Sequence, residues 1–168
     1  MEYTETIYMR KTWIMALVAF SIFLTGSLGI ILAFAPAKNV PDFTASGILI
    51  ASSLIIFLLF WQIRLKLIIN KAGIYYRYFP FHLKEYFIPW ETVISAQGRK
   101  YNPIKEYGGW GIKGRKSNRA YNISGSFGLQ LELSDGRKLL FESRNPDEIN
   151  KVLIEFKREM PLNKTKQL

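Results

Sequence analysis

Three glycines near the middle of the chain have the spacing of a dinucleotide-binding motif. Gly109, Gly111 and Gly114 match G-x-G-x-x-G, a pattern in which a pyrophosphate rests against bare backbone at a helix N-terminus. That chemistry needs a strand before the first glycine and a helix that opens at the third. The flanking sequences, NPIKEYG and RKSNRAYNISG, are polar and lack a helical period of apolar residues. We therefore expect no nucleotide cofactor, and the glycines either bend a strand or belong to a contact surface.

Other residue types that support catalysis or metal binding are sparse. The sequence has no cysteine and one histidine, His82, which excludes thiolate nucleophiles, disulfides and paired histidine ligands. Neither a Walker loop nor a G-x-S-x-G nucleophile motif occurs. We assign Glu132 and Glu142 to a solvent-facing side of a strand, and Asp147 and Glu148 to the first turn of a helix. The sequence thus predicts no catalytic residue, no metal site and no cofactor.

Residues 99–119 combine positive charge with aromatic side chains. The segment holds seven basic residues against one acidic residue, Glu106. This mixture suits anionic lipid head groups or an acidic protein partner, whereas no further feature favours nucleic acid. The candidate contact residues are Arg99, Lys100, Lys105, Tyr107, Trp110, Lys113, Arg115, Lys116 and Arg119.

Two uncharged apolar stretches precede this region and predict membrane spans at about residues 13–35 and 43–63. A helix needs about 20 apolar residues to cross the hydrocarbon core of a bilayer. The connecting segment, PAKNVPD, is polar and rich in proline. A cleaved signal peptide is the alternative for the first stretch, but its apolar region is too long and Pro36 is poorly placed for cleavage.

Basic residues at the outer ends of the two stretches predict their orientation. Two basic residues precede the first stretch and three follow the second within eight positions, whereas the connecting segment has only Lys38. Lys and Arg near spans stay on the cytoplasmic side. We therefore expect a multi-pass protein of the cell (inner) membrane with both termini in the cytoplasm.

The remainder of the chain has the pattern of a β domain closed by a helix. Strands are predicted at 65–70, 74–81, 84–90 and 93–101, and a hairpin at 128–143 has its turn at 134–136. This turn sets Leu131 opposite Leu139 and Leu129 opposite Phe141, which places apolar faces together. The fold class is therefore α+β or mainly β, a curled antiparallel sheet with a C-terminal helix.

The C-terminal helix has recognisable start and stop signals. Asn145 suits an N-cap, Pro146 suits the first helical position and Glu148 suits a capping box. An apolar stripe follows, and Pro161 ends the pattern before a basic tail, 161–168. The stripe consists of Ile149, Val152, Leu153, Phe156 and Met160.

The run INKAGIYYRYFPFHLKEYFIPWETV resembles bacterial pleckstrin-homology-like domains, with turn glycine Gly73 and an I-P-W-x-x-[IV] segment at Ile88–Val93. The Y-G-G-W-G-[IV] sequence at Tyr107–Ile112 resembles one family of small bacterial membrane proteins of uncharacterised function. The resemblance implies a pleckstrin-homology-like fold and membrane attachment, and it implies no catalytic residues.

The sequence therefore predicts a two-helix membrane hairpin (1–64), a cytoplasmic domain (65–160) and a short tail. The function expected of this arrangement is a non-catalytic module, tethered to the membrane, that binds a protein partner or anionic lipid head groups. A membrane-bound enzyme or enzyme subunit of unknown reaction is the alternative, and a deep pocket with convergent titratable groups would favour it. The oligomeric state is left open.

Overall fold

The computed structural model describes residues 2–34 and 43–159. Its helices are α1 (Trp13–Phe34), α2 (Phe43–Gln62), α3 (Pro103–Tyr107) and α4 (Pro146–Glu159), with 3-10 turns at Met9–Lys11 and Trp90–Thr92. Its strands are β1 (Tyr3–Tyr8), β2 (Arg64–Ile69), β3 (Gly73–Phe79), β4 (Tyr86–Pro89), β5 (Val93–Lys100), β6 (Gly111–Arg115), β7 (Asn118–Asn122), β8 (Phe127–Leu133) and β9 (Lys138–Glu142). The predicted connecting segment 36–42, Met160 and the predicted tail lie outside the described residues.

The chain divides into two compact units. The helical unit is Tyr8–Ile63, and the globular unit combines Met1–Ile7 with Arg64–Leu168. The sequence-based boundary at residue 64 places the N-terminal residues with the helices, whereas the structure places Tyr3–Ile7 in the globular unit. The globular unit is therefore discontinuous in sequence, because both apolar helices are inserted after its first strand.

Helices α1 and α2 form the helical unit and coincide with the predicted apolar stretches. Large apolar side chains are exposed along both, including Phe23 (68%) and Ile48 (68%). The Thr25 and Ser53 hydroxyl oxygens lie 2.9 Å apart and link the two helices. Among the described residues, one segment, Trp13–Ile31, is long and apolar enough to cross a membrane, and the apolar part of α2, Gly47–Gln62, is shorter.

The two outer ends of the helical unit lie next to each other. The Met9 amide, just before α1, donates a hydrogen bond of 2.9 Å to the Ile63 carbonyl, just after α2. The Arg10 guanidinium lies 5.8 Å from the centre of the Trp61 ring. The chain consequently enters and leaves the helical unit at neighbouring points.

The first sheet of the globular unit has the strand order β1-β2-β3-β4. Strands β2 and β3 form an antiparallel hairpin in which Arg64 is opposite Phe79 and Ile69 is opposite Ile74. Strand β4 is shorter than predicted, because the chain turns into the 3-10 segment at Trp90, whose indole N–H donates to the Asn70 carbonyl over 2.8 Å.

Strand β1 was not predicted from the sequence. Its residues alternate between the interior and the surface, with Tyr3 and Ile7 both 2% exposed. The Tyr3 hydroxyl donates to Glu5 over 2.6 Å, and a second Glu5 oxygen accepts from the Arg144 amide over 2.9 Å. The N-terminal strand thus pairs with the sheet and is hydrogen-bonded to the segment just before α4.

The second sheet has the order β5-β8-β9-β7-β6. The predicted hairpin register is confirmed, with Leu129 opposite Phe141 and Leu131 opposite Leu139. The prediction of one curled antiparallel sheet is wrong, because there are two sheets and β7 pairs with β9 in parallel. The parallel pair arises because β9 returns from its hairpin and inserts between β8 and β7.

The aromatic interior of the globular unit joins the two sheets. The Tyr76 ring, on the first sheet, lies 4.6 Å from the Phe141 ring and 5.1 Å from the Tyr121 ring on the second. Helix α4 closes another side, where Phe156 lies 5.5 Å from the Trp90 ring. The predicted helix and its apolar stripe are confirmed over the described residues, since Ile149, Val152, Leu153 and Phe156 are all buried.

Replacing Leu153 with alanine is expected to lower the free energy of unfolding by about 2–5 kcal/mol, because its side chain is 4% exposed and the vacated space collapses only partly. Urea titration of the full chain in detergent micelles measures this change. The adjacent Ile154 is 55% exposed, so Ile154→Ala is the matched control and should change the value by about 0.5 kcal/mol or less. Equal effects of the two substitutions would contradict the orientation of α4.

Candidate functional site

The basic segment 99–119 folds into regular structure rather than a single loop. Helix α3 begins at Asn102, whose side-chain oxygen accepts from the Ile104 amide at 3.1 Å and the Lys105 amide at 3.0 Å. The helix ends at Gly108, which has a left-handed φ of 80°. Strands β6 and β7 then form an antiparallel hairpin in which Arg115 is opposite Asn118. The positive charges are therefore distributed over the end of β5, helix α3 and the β6–β7 hairpin.

The three motif glycines lie in a geometry that differs from a dinucleotide cradle. Gly109, Gly111 and Gly114 have φ values of 124°, 110° and 88°, which side-chain-bearing residues rarely adopt. Gly111 and Gly114 lie within β6, so a strand stands where the motif requires a helix. A Cβ on Gly114 would collide with the Asn118 carbonyl oxygen across the hairpin. Backbone conformation alone therefore accounts for these glycines.

Two of the nine candidate residues form an internal network. Arg99 makes an ion pair of 2.8 Å with Glu106 and donates to Gln130 over 3.0 Å. Tyr107 is buried, and its hydroxyl donates to the same Gln130 oxygen over 3.2 Å. The hydrogen bond from Arg99 holds the pKa of Glu106 below its usual value. The Arg99 and Tyr107 side chains thus support the local fold.

The remaining candidates differ in accessibility. Lys100 and Lys105 are exposed, whereas Trp110 and Arg119 are half-buried. Lys113, Arg115 and Lys116 are all exposed on one hairpin, and no ion pair among residues 2–34 and 43–159 involves them. These three cations, which we call the basic hairpin, lie together on one hairpin, whereas the other two exposed candidates, Lys100 and Lys105, lie on β5 and α3.

An aromatic cluster around His82 was not predicted. The His82 ring lies 4.6 Å from the Tyr86 ring and 5.5 Å from the Tyr121 ring. Its Nδ1 accepts a 3.3 Å hydrogen bond from the Tyr78 amide. Burial, followed by the nearby positive charge of Arg119, lowers the pKa of His82. The aromatic run 74–81 was the available sequence signal, but pairing it with Tyr121 required the tertiary fold.

Stability is expected to fall as the pH is lowered from 7.5 to 5.5, because the unfolded chain binds a proton at His82 before the folded chain does. His82 is the only histidine, and carboxylates titrate mainly below this range. Urea titrations at several pH values measure the effect. His82→Gln should make the free energy of unfolding nearly independent of pH between 5.5 and 7.5. An unchanged pH dependence in this variant would contradict the assignment of the effect to His82.

The expectation that Glu142 faces solvent is wrong. Its side chain is fully buried, and one carboxylate oxygen accepts hydrogen bonds from the Ile123 amide and, over 2.9 Å, from the Ser124 amide. Gly125 leaves no room for a Cβ beside this carboxylate, since an added atom would lie 2.6 Å from its oxygen. The segment after β7 therefore folds over the end of β9 and encloses the carboxylate. Glu132 is half-exposed and pairs with Lys138 over 2.6 Å.

Comparisons with known proteins leave the geometry as the basis for assigning function. No protein-family model matches the chain, and no curated protein matches it. Within residues 2–34 and 43–159, no group of three or more His, Asp or Glu side chains is placed to hold a metal ion. The features left as candidates for a functional role are the apolar helix pair and the exposed basic hairpin.

Proposed function

We propose that this protein is a non-catalytic, membrane-anchored binding module with two spans. In this proposal α1 and α2 cross the bilayer, both chain ends lie in the cytoplasm, and the globular unit is a pleckstrin-homology-like module. Its basic hairpin contacts an anionic surface. The observation that carries the proposal is the adjacency of β1 and β2 in one sheet, because these strands flank the helical unit in sequence.

This adjacency supports a return crossing. If α1 crosses a membrane, the chain must come back before β2 begins, since β1 and β2 belong to the same sheet. Helix α2 has 20 residues, which corresponds to about 30 Å of helix, comparable with the hydrocarbon thickness. Its exposed Leu54 and Ile55, at 56% and 58%, favour an apolar environment over water.

The same strand argues against removal of α1 as a signal peptide. Cleavage after α1 would also remove β1, whose Tyr3 and Ile7 side chains lie in the interior of the globular unit. A cytoplasmic location of that unit is favoured by the basic residues that flank the helices at this end, including Arg10 and Arg64. The proposal thus treats α1 as a retained span.

A pleckstrin-homology-like plan is favoured by two facing sheets followed by a C-terminal helix. The parallel β7–β9 pair is a departure from a purely antiparallel design. The basic hairpin is next to this parallel pair, since β6 pairs with β7 and forms the edge of the second sheet. We therefore assign contact with the anionic surface to the basic hairpin.

The expected ligand of the basic hairpin is an anionic lipid head group, with an acidic protein as the competing partner. Three exposed cations contribute about 1 kcal/mol each near an anionic membrane surface, and salt screens that attraction. Because the full chain includes β1, the experiment uses intact protein in nanodiscs of phosphatidylcholine, with or without phosphatidylglycerol. Hydrogen–deuterium exchange of residues 111–118 then reports contact.

Slower exchange in the anionic nanodiscs, reversed by high salt, is the result that the lipid proposal requires. Combined substitution of Lys113, Arg115 and Lys116 by glutamate should abolish the difference. Lys151→Glu is the control, because Lys151 is exposed on α4, outside the basic hairpin. Identical exchange in both lipid compositions would remove lipid as the ligand and leave an acidic protein as the partner.

A further inference from the structure

We propose that the loop between β3 and β4 is a second, apolar membrane contact that inserts Phe81 and Leu83 into the boundary between head groups and acyl chains. This inference rests on the proposed membrane anchoring through α1 and α2. We call residues 80–85 the insertion loop. Its predicted partner is the lipid surface of the same bilayer, and the mechanism is distinct from the attraction of the basic hairpin to anionic head groups.

The covalent chain limits how far the start of this loop can lie from the last residue of α2. Arg64 begins β2 only two residues after Gln62, the last residue of α2. Arg64 is also the cross-strand partner of Phe79, the last residue of β3. Three Cα–Cα steps of about 3.8 Å and one cross-strand distance of about 5.5 Å therefore bound the path from α2 to residue 80, the start of the insertion loop.

The opposite end of the same hairpin is separated from Arg64 by the length of a strand. Strand β2 has six residues, so the β2–β3 turn lies about 20 Å along the strand from Arg64. Ala72 is exposed in that turn. The hairpin thus supplies an internal reference position on the same sheet, a strand length away from Arg64.

The insertion loop exposes two large apolar side chains. Phe81 is 67% exposed and Leu83 is 76% exposed, whereas the intervening His82 is half-buried in the aromatic cluster. A hydrogen bond to β3 holds the loop backbone in place, because the His82 amide donates to the Tyr78 carbonyl at 2.8 Å. The Arg77 side chain also donates to the His82 carbonyl at 3.2 Å. Phe81 and Leu83 therefore remain largely exposed on this fixed backbone, although the centre of the Phe81 ring lies 6.0 Å from the centre of the Tyr78 ring.

Cations lie at the base of the insertion loop and next to Leu83, an arrangement that matches the chemistry of a membrane interface. The guanidinium groups of Arg64 and Arg77 lie 5.1 Å and 5.4 Å from the Phe79 ring. Lys84 is exposed beside Leu83, and the acidic Glu85 is neutralised by Lys66 at 2.8 Å. Apolar side chains that enter the bilayer boundary, with basic groups at head-group level, are the recognised pattern of interfacial membrane contacts.

The test measures the depth of the insertion loop in a bilayer. The chain has no cysteine, so Lys84→Cys can carry a single environment-sensitive fluorophore while Phe81 and Leu83 remain native. The full chain is placed in nanodiscs of phosphatidylcholine and phosphatidylglycerol that contain lipids brominated near the head group. We expect a blue-shifted emission and strong quenching at position 84, and neither effect for the same label on Ala72→Cys.

Two further variants separate the possible outcomes. In the labelled Lys84→Cys background, Phe81→Ser with Leu83→Ser should reduce the quenching towards the Ala72→Cys value. A label on Leu24→Cys, within α1, tests the anchoring by itself through lipids brominated deep in the acyl chains. Quenching at 24 without quenching at 84 would overturn the insertion loop while leaving the anchor intact. Absence of quenching at both positions would overturn the anchor and, with it, the insertion loop.

Discussion

Replacing Ile7 with aspartate is expected to destabilise the globular unit by about 4 kcal/mol or more, although this residue precedes both apolar helices. Ile7 is 2% exposed in β1, beside β2, so the substitution buries a charge with no partner designed for it. Urea titration of the full chain in detergent micelles, followed by near-ultraviolet circular dichroism, measures the loss. The loss of stability should also affect β2 and β3, because these strands belong to the same sheet as β1.

The matched control lies in the same strand. Thr4 is exposed where Ile7 is buried, so Thr4→Asp introduces the same charge on the solvent side and should change stability by about 0.5 kcal/mol or less. A harmless Ile7→Asp would mean that β1 is not part of the folded globular unit. Two spans would then no longer follow from the fold, because a return crossing is required only if β1 and β2 form one sheet.

Replacing Glu142 with alanine is expected to cost about 3–5 kcal/mol. The carboxylate accepts from the Ile123 and Ser124 amides in the interior, and each hydrogen bond to a charged group contributes about 1.5–3 kcal/mol. Alanine would leave both amides without their acceptor and would open a cavity beside Gly125. The same urea titration measures the change, and exchange at the 123 and 124 amides should accelerate.

Glu132 provides the comparison for this effect. It lies on the neighbouring strand β8, half-exposed and paired with Lys138, and exposed ion pairs contribute about 0–1 kcal/mol. Glu132→Ala should therefore change the free energy of unfolding very little. Glu142→Gln keeps one acceptor oxygen, so its cost in stability should lie between the costs of Glu132→Ala and Glu142→Ala. If Glu142→Ala and Glu132→Ala cost the same, the carboxylate would not be holding the segment after β7.

Features encoded by local periodicity were predictable from the sequence. The β8–β9 register follows from a three-residue turn and two coincident apolar faces, and the α4 stripe follows from helical spacing. The apolar helices follow from composition. In each case neighbours in sequence are also neighbours in space, so a short window contains the whole signal.

Features that depend on distant pairing were not predictable in this way. Strand β1 finds its neighbour β2 only after both helices have intervened, and the parallel β7–β9 pair requires a strand to insert between two others. Glu142 occupies an alternating position that ordinarily faces water, but residues 123–125 cover it. Tertiary context decides such burial, and the sequence pattern cannot report it.

The candidate contact surface shows the same division. The count of charges drew attention to the basic segment, yet it did not separate Arg99, which is paired with Glu106, from Lys113, which is exposed. Side-chain partners are set by the fold that brings α3 against β5 and β8. Composition therefore showed that the region is basic, and the structure shows which of its cations share the β6–β7 hairpin.

The most direct test of the central claim is a topology measurement on the full chain. Because the chain has no cysteine, single substitutions Thr4→Cys, Asn39→Cys and Ala72→Cys can be probed in intact cells with a membrane-impermeant maleimide. Two spans with both ends in the cytoplasm predict labelling at position 39 from outside, and at positions 4 and 72 only after lysis. Labelling of positions 4 and 72 from opposite sides of the membrane, or of position 72 in intact cells, would contradict the account.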